Sequence, residues 1–311
     1  LLVNHDVRMA EAGEFTKRAF MNGRIDLTQA EAIIDIIEAK TEDSLSLAVS
    51  QLDGTVSFFV KDVREQLIAM IAHLEVTIDY PEEDIEDVTS QEVRNQLQSI
   101  LKAMDELLST ANTGRLIRDG ITTVIVGRPN AGKSSLMNAL LRENRAIVTD
   151  IPGTTRDSIE EYMTVEGISL RLIDTAGIRD TQDTVEALGV ERARDYINKA
   201  DIVLCVIDGS TPLTPEEIEI LISVSGLNTI VLLNKSDVAQ VVTDENIEEH
   251  GTFTAIERIS AKDGEGSAVL SKWVQELVYG GRVKQDNSAM ISNVRHISLM
   301  EQAKAQVEQA L

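Results

Sequence analysis

The sequence is poor in cysteine, in long apolar runs and in positive charge, and each shortage excludes a class of protein. Cys205 is the single cysteine in 311 residues, which rules out an internal disulfide and suits the cytosol. It lies in the apolar run Ile202–Ile207, so we expect a buried strand residue rather than a nucleophile. No run approaches the ~18 apolar residues that a membrane span needs, and no signal peptide opens the chain. We therefore expect a cytoplasmic protein without membrane contact.

The shortage of positive charge restricts the partners of the chain. It has 29 Lys and Arg residues against 52 Asp and Glu residues, which gives a formal net charge of −23. Such a field repels a phosphate backbone, so the chain should not bind nucleic acid over a broad surface of its own. If its function involves RNA, a basic partner or a local patch must supply the contacts.

Residues 1–118 carry a helical pattern throughout. Capping boxes at Thr28–Glu31 and Thr89–Glu92 predict two helix starts. One long helix is predicted from about Glu42 to Asp79, because apolar residues recur at close to heptad spacing. These apolar faces indicate a helical bundle and carry no chemistry of their own.

The pattern changes at Ile121. Strand–loop–helix units then alternate to about Tyr279, which is typical of a mostly parallel sheet with helices on both faces. Residues 281–311 begin with a polar linker, and the helical pattern returns at about Met290. Helix, then α/β, then helix again predicts that an α/β domain, residues 119–280, is inserted into the helical domain.

A phosphate-binding loop is predicted at Gly127–Ser134, which matches G-x4-G-K-S directly after a strand and before a helix. Backbone amides and the helix N-terminus would hold the phosphates of a nucleotide. Lys133 would reach the outer phosphates and assist catalysis, and the Ser134 hydroxyl would ligate Mg²⁺. The residues of this loop assigned to nucleotide binding are Asn130, Ala131, Gly132, Lys133, Ser134 and Ser135.

Two further segments are predicted to face the γ-phosphate. Asp174–Gly177 matches D-x-x-G after a second apolar strand, and the Asp174 carboxylate would act on Mg²⁺ through water. A threonine between the P-loop and Asp174 should close on Mg²⁺ as switch I does, and we choose Thr155 with Thr154 as the alternative. The assigned nucleotide contacts are Thr149, Asp150, Ile151, Pro152, Gly153, Thr154, Thr155, Asp174, Thr175, Ala176 and Gly177.

Asn234–Asp237 follows another apolar strand and predicts guanine selectivity. The Asp237 carboxylate can accept two hydrogen bonds from guanine, whereas adenine would leave this carboxylate unpaired. The Lys235 stem would lie on the face of the base, and Asn234 would brace the P-loop. The Ser260–Lys262 segment adds the Ala261 amide, which would meet guanine O6. The assigned contacts are Asn234, Lys235, Asp237, Ser260, Ala261 and Lys262. A Ras-like P-loop GTPase domain is therefore predicted.

Motifs alone leave two interpretations open for the group that orients the attacking water. Ras-like enzymes place a glutamine directly after D-x-x-G, but this chain has Ile178 there. Glu186 is our candidate, and a solvated acidic loop is the alternative. Asn130 is either a turn residue that tolerates the backbone angles of the P-loop or a ligand of a monovalent cation beside the phosphates.

These residues together resemble the TrmE (MnmE) family of tRNA-modification GTPases. The resemblance covers essentially the whole chain and is most specific at Glu14–Ala32, Gly127–Ser135, Thr149–Asp157 and Asp174–Ile178. It implies that the GTPase domain is inserted in a helical domain and pairs with that of a second copy in a potassium-dependent way. It also implies a flavin-dependent partner, in a heterotetramer that adds a carboxymethylaminomethyl-type group at C5 of the wobble uridine (position 34) of certain tRNAs.

The resemblance also implies roles for single residues. K⁺ would be bound by Asn130, Thr149, Ile151 and Thr154, and Mg²⁺ by Ser134 and Thr155. Glu186 would orient the water. Arg24 matches a basic position implicated in binding a formyl-tetrahydrofolate, although a surface arginine at a turn is the alternative.

Two departures from the family pattern affect what the chain can do. Leu1 to about Gly13 match only the end of the family's folate-binding and dimerising N-terminal domain, and the cysteine-containing C-terminal tail is missing. We therefore expect GTP chemistry from this chain alone, but not tRNA modification. Rival hypotheses are an Era-like ribosome-assembly or regulatory switch and a scaffold that a nucleotide holds together as a dimer.

Overall fold

The computed structural model describes residues 8–79, 90–144, 160–174, 194–280 and 289–311. The helices are α1 Glu14–Met21, α2 Leu27–Glu38, α3 Glu42–Leu52, α4 Thr55–Asp79, α5 Ser90–Ser109, α6 Ala111–Asp119, α7 Lys133–Asn144, α8 Pro215–Val224, α9 Asp244–Glu248, α10 Gly266–Tyr279 and α11 Val294–Gln309. The strands are β1 Ile121–Val126, β2 Glu160–Val165, β3 Ile168–Asp174, β4 Ile202–Asp208, β5 Thr229–Asn234 and β6 Ala255–Arg258.

The chain separates into two compact units. The helical unit comprises Leu1–Arg118 together with Lys284–Leu311, and the α/β unit comprises Asp119–Val283. This is the predicted fold class, an α/β domain inserted into a helical one. Within the described ranges, no helix is long and apolar enough to cross a membrane.

The N-cap of α2 lies two residues before the predicted one. It is Asp26, whose side chain accepts a hydrogen bond from the Gln29 amide at 2.8 Å. The Gln29 side chain in turn accepts from the Asp26 amide at 3.0 Å. The prediction of Thr28 as the N-cap was therefore wrong. The second predicted cap, Thr89, lies outside the described residues.

The long helix predicted from Glu42 to Asp79 is two helices, α3 and α4. Gly54 adopts a positive φ of 88° between them, a conformation that ends a helix and that glycine adopts readily. Apolar residues recur at similar spacing on both sides of this break. Periodicity therefore concealed the break.

Helices α4, α5 and α11 share one hydrophobic core, so the return segment completes the helical unit. The buried members of this core are Met70, Leu97, Ile100, Met104, Leu107, Ile291, Met300 and Val307. Helix α11 begins at Val294 rather than at about Met290, because Asn293 caps it by accepting a hydrogen bond from the Arg295 amide at 2.9 Å.

The α/β unit is built on a six-stranded sheet of order β2-β3-β1-β4-β5-β6. Its neighbouring strands run parallel except β2, which is antiparallel to β3. Strands β4 and β5 are buried along their whole length, which explains why they read as continuous apolar runs. Cys205 is fully buried in β4, and burial raises the pKa of its thiol to about 12, so its prediction as a buried strand residue is confirmed.

Candidate nucleotide-binding site

The P-loop connects β1 to α7 at the carboxyl edge of the sheet, where ligands bind in open α/β folds. Gly127, Asn130 and Gly132 have positive φ angles of 149°, 65° and 104°. These angles bend the chain around the start of α7, and the first-turn amides of a helix have no partner within the helix itself. Ser134 and Ser135 are exposed in that first turn.

Lys133 lies folded against the loop that it follows. Its ammonium group donates hydrogen bonds to the carbonyls of Gly127 and Arg128, each at 2.8 Å. The residue is 6% exposed. The loop thus surrounds a positive charge at the predicted phosphate position.

Asn234, at the end of β5, joins three loops. Its side-chain amide donates to the Ala131 carbonyl at 2.8 Å, and its side-chain oxygen accepts from the Ala261 amide at 3.0 Å. Asn234 is 3% exposed, so both bonds are shielded from water. It therefore brings the P-loop, its own loop and the Ser260–Lys262 loop to one place.

Gly132 makes this junction possible. A Cβ atom on Gly132 would collide with the Asn234 side-chain nitrogen. The second glycine of the P-loop motif is thus required by packing as well as by its positive φ.

Lys235 and Asp237 lie beyond this junction. Lys235 has a positive φ of 66°, which is uncommon for a residue with a side chain. Its carbonyl accepts a hydrogen bond from the Gln240 side chain at 2.7 Å, and its ammonium group donates to Asp208 at 2.5 Å. Asp237 is exposed, as the contact with a base requires.

The Ser260–Lys262 loop is held by acidic residues that the sequence analysis did not identify. Glu265 accepts hydrogen bonds from the Ser260 amide at 2.8 Å and from the Ser236 hydroxyl at 3.2 Å. The Ser260 hydroxyl donates to Asp263 at 2.5 Å. Ala261 is 5% exposed and Lys262 is exposed.

Asp208 and Glu217 form a buried charge cluster beside the P-loop, together with Arg128 and Lys235. Asp208 is 4% exposed and Glu217 is fully buried. Arg128 donates to Glu217 at 3.0 Å and lies 3.9 Å from Asp208. Burial tends to raise the pKa of Asp208, but hydrogen bonds from Lys235 and Ser210 outweigh it, so the pKa lies below its usual value. This cluster balances two carboxylates with two cations.

The sequence analysis missed this cluster, although two weak signals were present. Asp208 ends a strand of the parallel sheet at the edge that carries the loops. Glu217 is the third helical residue of a capping box, in which it accepts hydrogen bonds from the Thr214 amide and hydroxyl at 3.0 and 2.8 Å. The same carboxylate also binds Arg128, which no local pattern reveals.

Part of the predicted site lies outside the described residues: Thr149, Asp150, Ile151, Pro152, Gly153, Thr154, Thr155, Thr175, Ala176, Gly177 and Glu186. Asp174 ends β3, where its backbone pairs with that of Ile125, directly before the P-loop. The exposed Ser134 hydroxyl is an oxygen ligand of the kind that magnesium takes. No group of three or more His, Cys, Asp or Glu residues that could hold a metal occurs in the described ranges.

Arg24 lies in the helical unit, in the turn that follows α1. It is exposed, and its amide donates to the Ala19 carbonyl at 3.0 Å. Both interpretations of Arg24, a surface arginine at a turn and a folate-binding residue, agree with this position.

Comparisons with known proteins give consistent results along the chain. A family model described as the MnmE helical domain matches residues 27–311. The tRNA modification GTPase MnmE of Clostridioides difficile is 48% identical over 311 residues, which are 100% of this chain and 68% of that protein. The MnmE of Geobacillus thermodenitrificans is 47% identical over 312 residues, with the same coverage. Among solved structures, Era of Aquifex aeolicus bound to GDP and AlF4⁻ gives a TM-score of 0.39 and 27% identity, over 56% of this chain and 62% of that one.

A P-loop after the first strand, tied by an asparagine to a base-recognition loop after another parallel strand, defines a P-loop GTPase. The identity of nearly half of all residues makes the assignment more specific. The chain belongs to the MnmE family of tRNA modification GTPases. The resemblance drawn from the sequence motifs is thereby confirmed.

Proposed function

We propose that the protein hydrolyses GTP as the G-protein component of a cytoplasmic complex that modifies wobble uridines (position 34) in tRNA. The junction at Asn234 carries the proposal, because its side chain ties the P-loop to the Ser260–Lys262 loop, the segments proposed to hold the phosphates and the guanine. The names of the relatives, tRNA modification GTPases, supply the RNA context and favour it over an Era-like switch.

Binding begins at the P-loop. The amides of Ala131–Ser134 and the first turn of α7 hold the phosphates, and Lys133 exchanges its bonds with loop carbonyls for bonds with the outer phosphates. Ser134 and Thr155 would ligate Mg²⁺, with Asp174 acting through water. Asp237 and Ala261 read the guanine edge, while the Lys235 stem covers its face.

Hydrolysis requires a group that orients water and a positive charge near the γ-phosphate. Ile178 cannot orient water, so the proposal assigns this task to Glu186. No arginine is placed by motif as a finger. A potassium ion would supply positive charge beside the phosphates, held by Asn130, Thr149, Ile151 and Thr154.

Two copies would pair across their switch I segments, which excludes water and strengthens each charge interaction. A flavin-dependent protein would join this homodimer in a heterotetramer and perform the redox part of the C5 modification, which adds a carboxymethylaminomethyl-type group. In a longer protein, Arg24 would contribute to binding a formyl-tetrahydrofolate.

Exchanging Na⁺ for K⁺ at constant ionic strength tests the potassium proposal. GTP turnover should rise by at least tenfold, since a missing cationic finger is worth ~10³–10⁵ in related enzymes. Asn130→Ala should abolish the rise, and Glu186→Ala should slow turnover while sparing GTP binding. Steady-state phosphate release in both salts measures each effect.

The left-handed backbone of Asn130 makes a second variant necessary, because asparagine tolerates this conformation better than alanine. Asn130→Gly tolerates the same backbone angle and removes the whole side chain, including its oxygen. If Asn130→Gly retains full potassium stimulation, Asn130 is a turn residue. Equal rates of the parent protein in Na⁺ and K⁺ would reject the whole mechanism.

A further inference from the structure

The buried cluster beside the P-loop contains a carboxylate for which the proposed reaction has no use. Asp208 reaches neither the phosphates nor the base by motif, and yet its side chain is withdrawn from water. Burying an ionised carboxylate is costly unless it is paired and hydrogen-bonded. The residues that pair with Asp208 therefore indicate the role of this buried carboxylate.

The partner at the shortest distance is the lysine of the base-recognition loop. Lys235 donates to one oxygen of Asp208 at 2.5 Å, while the Ser210 amide and hydroxyl donate to the other oxygen at 3.1 and 2.6 Å. Both oxygens of Asp208 are thus fixed, so the carboxylate is a rigid anchor for the ammonium group. The ammonium group lies at the far end of the same stem that is to cover the base.

The backbone of Lys235 is constrained at its other end. Its φ of 66° is unfavourable for a residue with a side chain, and such conformations persist only where the surroundings impose them. The Gln240 side chain and the Val238 amide both donate to the Lys235 carbonyl, at 2.7 and 3.1 Å. Lys235 is therefore held at its carbonyl and at its ammonium group, with only the aliphatic stem between them unconstrained by polar contacts.

We infer that Asp208 is a positioning residue for guanine: it anchors the Lys235 ammonium group so that the lysine stem forms a preformed face for the base. This inference rests on the proposed guanine site and adds a residue that no base-recognition motif contains. Side chains fixed before binding lose less entropy when the ligand arrives, so the anchor should raise affinity through the base and leave the phosphate contacts unaffected.

The experiment separates these two contributions. The 311-residue chain carrying a fluorescent GDP is titrated with GDP and, separately, with inorganic pyrophosphate, both with Mg²⁺. The inhibition constant of pyrophosphate divided by that of GDP is the measured ratio. It reports how much the nucleoside adds to the affinity. Asp208→Asn should lower this ratio about tenfold, the size expected for one charge-assisted hydrogen bond, while pyrophosphate affinity stays within about twofold of the parent.

Asp201→Asn is the matched control. Asp201 lies directly before the opposite end of β4, where its side chain accepts a hydrogen bond from the Thr122 amide at 2.9 Å. This variant should change the melting temperature and leave the ratio unaltered. Should Asp208→Asn fail to fold, Ser210→Ala removes one hydrogen bond to the same anchor, and it should lower the ratio by about twofold to threefold.

The outcomes distinguish two failures. A parent protein that binds GDP no better than pyrophosphate overturns the guanine site itself. A parent with a large ratio, combined with an unchanged ratio in Asp208→Asn or an equal loss of both ligands, overturns only the positioning role of Asp208.

Discussion

Asp237 is exposed at the end of the base-recognition loop, with its carboxylate open to a ligand. Asp237→Asn should change the acceptor pair into a mixed donor–acceptor edge, which fits xanthine better than guanine. We expect the preference to shift from GTP toward XTP by roughly 10²-fold or more, because the wrong pairing leaves a polar group unsatisfied. Competition binding with GTP, XTP and ATP measures this.

Asp244→Asn is a suitable control for that variant. Asp244 is a half-exposed aspartate of the same unit, and its ion pair with Arg258 involves none of the residues predicted to bind guanine. It should keep the parent's preference. An Asp237→Asn protein that still prefers GTP as strongly as its parent would refute the base assignment.

For single residues, the sequence allowed us to assign members of local motifs, but it did not reveal ion pairs between residues that are distant in the chain. Asn234 and Lys133 stand in motifs whose spacing is local, so they could be assigned directly. Asp208 pairs with Lys235 and Glu217 with Arg128 across 27 and 89 positions of the chain. Such pairs depend on the strand order, which no single motif contains.

Among the elements, the P-loop and β5 depend on each other through Gly132. Gly132→Ala should displace the Asn234 side chain and weaken GDP binding by at least about tenfold, because a buried hydrogen bond is lost and the positive φ is strained. Gly226→Ala provides the comparison, since Gly226 has a similar φ of 77° but open space around its Cβ. It should cost stability alone. Equal GDP affinities for both variants would contradict this account.

The start of α11 is predicted to make the helical unit sensitive to acid. His296 is 8% exposed, its Nε2 lies 2.8 Å from Glu31, and its buried Nδ1 has no hydrogen-bond partner among the described residues. Burial lowers the pKa of His296 most strongly; Arg295 and Arg118 lower it further, and Glu31 opposes them. Below the unfolded value of about 6.5, the unfolded chain therefore takes up a proton that the folded chain resists.

The free energy of unfolding of the helical unit should therefore fall as the pH drops from 7.5 to 5.5. His296→Gln should flatten that part of the curve, which urea titrations at several pH values can measure. Identical pH dependence in parent and variant would exclude His296 as the cause. Ion pairs away from His296, such as Arg118 with Asp35 at 2.9 Å, are common to both proteins, so the difference between the two curves reports the substitution.

The existence of a helix or strand could be predicted where one or both of its faces are buried. The residues at which it begins and ends were harder to predict. Strands β1, β4 and β5 read as apolar runs because the sheet buries them. The ends of α2 and α3 were misplaced, because Asp26 outcompeted Thr28 as a cap and Gly54 interrupted a continuous apolar face. The spacing of apolar residues does not show which of two neighbouring residues caps a helix, or that a glycine ends it.

For the whole molecule, the net charge of −23 predicts weak binding to tRNA by this chain alone. At physiological salt we expect a dissociation constant above about 1 µM, which is the tight limit of the range typical of non-specific binding. Fluorescence anisotropy with labelled tRNA at two salt concentrations measures this, and adding the flavin-dependent partner should tighten binding. Tight, salt-sensitive binding by the chain alone would contradict the inference that a partner supplies the phosphate contacts.

The shared core of α4, α5 and α11 has a consequence for the order of events during synthesis. Met104 and Met300 belong to the same core, but the entire α/β unit lies between them in the chain. The α/β unit draws its strands from residues 121–258 and can close before α11 leaves the ribosome. The part of this core that α11 covers must meanwhile remain uncovered for the time needed to translate nearly 200 further residues, ~10–40 s at 5–20 residues per second. At this stage the nucleotide-binding unit of the nascent chain can be folded while the helical unit still exposes apolar surface. Exposed surface of this kind is what chaperones bind.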